Sequence, residues 1–138
     1  MTLSRGRFVA LLPLAALAAL VAHARAAKAM PVQTPKHPEP RPGITAARVL
    51  PDDRLSDASA APAYAMVREI PQVVDGIRCH CGCADLPGFY SLLTCYEQGG
   101  MAQHCVICQG QARLAHTLHA EGWSLNGIRK AIDAEFGD

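Results

Sequence analysis

Aromatic side chains make up only 5% of the 138 residues, and there is a single tryptophan. A chain this poor in large rings builds a small core, and its length allows one domain at most. Charge of neither sign is in excess, with 13 basic residues against 12 acidic ones. That balance speaks against nucleic acid or an anionic membrane as a partner. There is no repeat at a period of 20–50 residues and no apolar/polar alternation long enough for a β-strand. A serine–histidine–acid set, a carboxylate pair of recognisable spacing and a phosphate-cradling glycine loop are all missing, so an enzyme is not expected. Cysteine is absent before Cys79 and after Cys108.

What is present begins with an export signal. Arg5 and Arg7 form a positive start, Phe8 to Val21 an apolar stretch, and Ala22-His23-Ala24 or Ala24-Arg25-Ala26 a small-x-small cleavage site. The apolar run of about 14 residues falls short of the roughly 20 needed to span a bilayer, and Pro13 interrupts it. Residues 1–26 are therefore read as a cleaved signal peptide, leaving a periplasmic or secreted protein with no membrane span. Residues 27–62 carry prolines at 31, 35, 38, 40, 42, 51 and 62 and few apolar side chains, the composition of an extended, disordered linker.

The folded domain is expected over 63–138, as an all-α unit of four to five short helices around a cysteine cluster. Tyr64, Met66, Val67 and Ile70 share one helical face, which Pro71 must end or kink. Val73, Val74 and Ile77 carry a second helical turn towards the cysteines. A short helix follows through Leu92, Leu93 and Cys95, and Gly99-Gly100 breaks it. The clearest helix starts near His104 or Cys105, with Ile107, Leu114, Ala115 and Leu118 as its stripe and Gly122 as its stop. Ser124 is placed to cap the last helix, whose inner face is Leu125, Ile128, Ala131, Ile132 and Phe136.

All six cysteines lie between Cys79 and Cys108. Cys79, Cys81 and Cys83 form C-H-C-G-C, Cys95 stands alone, and Cys105 and Cys108 form C-x-x-C. Exported cysteines ordinarily suggest disulfides, here three bridges stapling a small scaffold. Three half-cystines within one turn would crowd three loops together, however, whereas the same thiols can converge on one soft cation. Cys105 and Cys108 sit at a helix start, where the amide groups favour thiolate and serve a metal pair or a redox dithiol equally. The expected metal ligands are Cys79, Cys81, Cys83, Cys105 and Cys108, with His104 as a nitrogen donor. Copper(I) is the first expectation outside the cytoplasm and zinc the second. His80 reads as a surface residue, and His116 and His119 as exposed helical positions. Cys95 fits a core residue, a disulfide half or a ligand. Another exported metal-handling or redox protein is the expected partner.

Four stretches carry a resemblance: I-P-Q-V-V-D-G-I-R-C-H-C-G-C (Ile70 to Cys83), S-L-L-T-C-Y (Ser91 to Tyr96), H-C-V-I-C-Q (His104 to Gln109) and E-G-W-S-L-N-G-I-R-K-A-I-D (Glu121 to Asp133). Together they resemble the bacterial family named for its P-C-Y-C-G-C motif, small exported proteins and often lipoproteins, chiefly of unknown function. The resemblance covers about Ala63 to Phe136. Arg78 replaces the motif's proline, and the lipoprotein cysteine is missing, which implies a soluble rather than a tethered member. Cys105-Val-Ile-Cys108-Gln109 also looks like the C-x-x-C-Q of thiol oxidoreductases in cytochrome c maturation, over those few residues only.

Overall fold

The computed structural model of the chain describes residues 36–137. The signal segment and the first part of the linker, up to residue 35, lie outside the described residues. Within them the fold is all-helical. Four α-helices, α1 (Ala61–Glu69), α2 (Pro71–Asp75), α3 (Val106–Ala120) and α4 (Leu125–Phe136), are joined by six short 3₁₀ turns, three ahead of α1 and three between α2 and α3.

Proline shapes the first pair. Pro62 lies in the opening turn of α1 and Pro71 opens α2, where a missing N–H costs nothing. Ala63, Tyr64 and Val67 turn the buried face of α1 inward, and Val74 does the same for α2. Helix α3 packs against both α1 and α4. It ends as its sequence suggests, with the Trp123 N–H donating to Leu118 O at 3.0 Å across Gly122. Ser124 caps α4 by accepting the Gly127 N–H at 3.2 Å, and Ile128 and Ile132 bury its inner face. At the centre, Tyr64 and Tyr96 meet edge to face with ring centroids 4.7 Å apart. No described helix is long and apolar enough to cross a membrane.

The described part of the proline-rich segment is not an extended linker. Ile44, Val49 and Leu50 are buried in the same core as α1 and the cysteines. Leu50 N–H donates to Tyr96 O at 2.9 Å, and Arg41 pairs with the buried carboxylate of Asp75 at 2.6 Å. Arg129 on α4 donates to Pro38 O at 2.6 Å, and Tyr90 Oη donates to Glu39 O at 2.6 Å. The strap therefore belongs to the domain, whose start lies at or before Lys36 instead of Ala63. Average composition conceals this because three well-placed apolar residues and a few polar anchors are enough to fix a chain that proline has already stiffened.

Candidate metal centre

The C-H-C-G-C stretch leaves α2 through Gly76 and turns back on itself. Gly82 makes that turn at φ +89°, a left-handed conformation that side chains resist. The result sets three sulfurs in series: Cys79 Sγ is 3.1 Å from Cys81 Sγ, which is 2.9 Å from Cys83 Sγ. Cys108 approaches from the first turn of α3, 3.6 Å from the Cys79 sulfur and 3.5 Å from that of Cys81. Its backbone is fixed from both directions. Tyr96 Oη donates to Cys108 O at 2.8 Å, and the Cys108 N–H donates to Cys105 Sγ at 3.4 Å.

Cys95 completes the group from a 3₁₀ turn, Leu92–Tyr96, which Ser91 and Thr94 close with a reciprocal capping box. Leu92 N–H ties that turn to Ile77 O at 2.8 Å. Gly100 packs directly beneath it, where a Cβ would lie 2.2 Å from Cys95 O. The sulfurs of Cys79, Cys81, Cys95 and Cys108 all lie within 4.8 Å of one another. Cys79, Cys95 and Cys108 are buried and Cys81 is half-buried. All six cysteines are free, so the three-bridge scaffold is not formed.

Of the residues expected from the sequence, Cys79, Cys81 and Cys108 are thus in the quartet. Cys83 is outside it but touches Cys81. Cys105 instead caps α3 through its sulfur, and His104 is exposed beside Ser56 Oγ (3.2 Å) and Asp57. Cys95, left open between three roles, is a member. His116 pairs with Glu69 at 2.6 Å.

The quartet's charge is unevenly shared. S–H donation from Cys108 and Cys95 and the Cys81 N–H hold the Cys79 thiol far below its ordinary value, against the opposing effect of burial. Cys108 is pushed up because it donates to Cys79 and Cys95 and is buried. Cys95 gains from the Cys108 donation, but its own bond to Cys79 and its burial outweigh that and raise it. Burial first, and then bonds to Cys83 and Cys79, raise Cys81. Without a cation, one thiolate at Cys79 is therefore shared among thiol donors. A cation would let the remaining thiols ionise, since coordination deprotonates them.

The residues also form a second cluster. His80, expected at the surface, is half-buried, with its side chain only 6% exposed and its Nε2 3.1 Å from Asp133 Oδ1. His37, from the strap, donates from Nε2 to the same oxygen at 2.9 Å and accepts the Arg78 N–H at Nδ1, also at 2.9 Å. Nothing in the spacing of residues 37, 80 and 133 signals this meeting.

No family model, no curated protein and no solved structure matches this chain.

Proposed function

We propose that the protein binds a thiophilic cation, Cu(I) or Zn²⁺, through Cys79, Cys81, Cys95 and Cys108, and buffers or hands on that metal outside the cytoplasm. The observation that carries this reading is the convergence of four sulfurs within 4.8 Å from three separate elements. Two sulfurs on a tetrahedral ion with bonds of about 2.3 Å stand about 3.8 Å apart. The separations of Cys108 from Cys79 and Cys81, 3.6 and 3.5 Å, are close to that. The exported location comes from the signal-like start and is part of the proposal, as is kinship with the P-C-Y-C-G-C family. In an oxidising compartment, the four free thiols of the quartet persist best when metal occupies them.

Mass spectrometry of the native protein, purified from its compartment without reductant, tests this. Bound copper or zinc with the quartet unbridged is the expected result, and the mass identifies the metal. Three disulfides and no metal would overturn it.

One observation favours thiol–disulfide exchange as a second reading. Cys105 is half-buried at the start of α3, its sulfur accepting a helix N–H, and so is more accessible to a partner than buried Cys108. Cys108, its sequence partner, instead directs its sulfur to Cys79 and Cys81. Trapping a mixed disulfide at Cys105 with an exported partner, on a metal-free protein, would favour exchange.

A further inference from the structure

We propose that His80 and Asp133 form a second cation site, shaped by His37, for a borderline divalent ion such as Zn²⁺. His80 stands between two quartet cysteines in sequence, yet its Nε2 lies 3.1 Å from the carboxylate of Asp133 on α4. One five-residue stretch would thus supply a soft sulfur site and a nitrogen–oxygen site. This inference does not depend on the sulfur quartet binding metal.

The bland alternative is a structural histidine–carboxylate pair, and two observations weigh against it. First, His80 Nε2 is fully buried and makes no hydrogen bond, although Asp133 Oδ1 is within reach. That oxygen already accepts from His37. A buried ring nitrogen without a partner is costly, and a cation placed between it and the carboxylate satisfies both. Secondly, the spacing suits shared coordination. Ligand atoms about 2.0–2.1 Å from a tetrahedral ion stand about 3.3–3.4 Å apart, close to the observed 3.1 Å. Imidazole and carboxylate also suit zinc better than soft Cu(I).

His37 takes a different role. Its Nδ1 accepts the Arg78 N–H, so Nε2 carries the proton and gives it to Asp133. That makes it the outer partner that orients a ligating carboxylate. Arg129 donates to Pro38 O and keeps the strap, and with it His37, against α4. Water would complete the coordination.

Co²⁺ serves as a spectroscopic probe on the full chain with reduced thiols. A Co²⁺ ion bound by thiolate shows intense near-ultraviolet charge transfer, whereas one bound by nitrogen and oxygen does not. Two equivalents are expected, only one of them with charge transfer. His80→Ala and Asp133→Asn should each lose the equivalent without charge transfer and keep the other, with unchanged helical circular dichroism. His37→Gln retains an N–H in the place of Nε2 and should bind within about tenfold of the original. His37→Ala should weaken the site by about 10–100-fold, as loss of an outer partner does. Absence of that equivalent from the unsubstituted protein, or its survival in both His80→Ala and Asp133→Asn, overturns the proposal. Loss of charge transfer alone would instead count against the sulfur site and leave this one standing.

Discussion

Cys105 and Cys108 share a motif but not a task. Cys108 is fully buried with its sulfur among those of Cys79 and Cys81, while Cys105 closes the helix start. Serine at 105 keeps an oxygen that can accept the same N–H, so Cys105→Ser should leave metal affinity within about tenfold. Cys108→Ser removes a quartet sulfur and should weaken binding by more than the 10–100-fold typical of an outer partner. Competition against a chelator of known affinity measures both. Equal losses would mean that Cys105 is itself a ligand. A second residue-scale case is Asp75, fully buried and ionised. Burial raises its carboxyl, but the Arg41 side chain and N–H and the Ser91 hydroxyl outweigh burial and hold it below the ordinary 3.8. A depressed carboxyl stabilises the fold above its unfolded value and loses that effect as pH falls through the folded value. Asp75→Ala should therefore cost stability at pH 7, towards the lower end of roughly 3–5 kcal/mol since Arg41 is partly exposed. The difference from the unsubstituted protein should shrink below about pH 3.8 in urea titrations. A deficit unchanged at pH 3 would show that packing, not charge, is what Asp75 supplies.

At the scale of elements, the 3₁₀ turn Leu92–Tyr96 is held against the site by Gly100. A methyl there would meet the Cys95 carbonyl, so Gly100→Ala must displace the turn and its sulfur. A loss of about 1–3 kcal/mol, typical of overpacking, should accompany weaker metal binding. Unchanged affinity would release Cys95 from the ligand set. This turn also marks the limit of what the sequence discloses. The α-helices are legible because their stripes, prolines and Ser124 cap are local signals that the packed structure obeys. Cys79, Cys81 and Cys108 are legible because close spacing of thiols has few other uses. Cys95 is not, since an isolated cysteine carries no spacing, and only the close packing of its turn brings it to the quartet. Neither is the strap: Ile44, Val49 and Leu50 are three apolar residues in a stretch whose average composition reads as linker. His37, His80 and Asp133 meet through contacts up to 96 positions apart, which no local pattern encodes.

For the whole molecule, the quartet draws on three places: the turn after α2, the 3₁₀ turn at Cys95 and the start of α3. A cation bound there ties together elements from three separate parts of the chain, so binding and folding should be linked. At a free metal concentration about 100 times the dissociation constant, stabilisation is about 2.7 kcal/mol. For a domain of this size that raises the melting temperature by roughly 10–20 °C. The same linkage gives a proton count. One of the four sulfurs, Cys79, is held as thiolate before binding, while Cys81, Cys95 and Cys108 are pushed up and hold their protons. Four ligands less one preformed thiolate leaves about three protons to be released as the ion enters. Apparent affinity should therefore climb steeply with pH up to and beyond the ordinary thiol value of 9.0, since three of the four thiols are raised above it. Calorimetry near pH 7 in buffers of differing ionisation enthalpy should count about three protons per ion. A count near one would mean that only part of the quartet coordinates. A count near zero, with no shift in melting temperature, would sink the sulfur site as the place where metal is held.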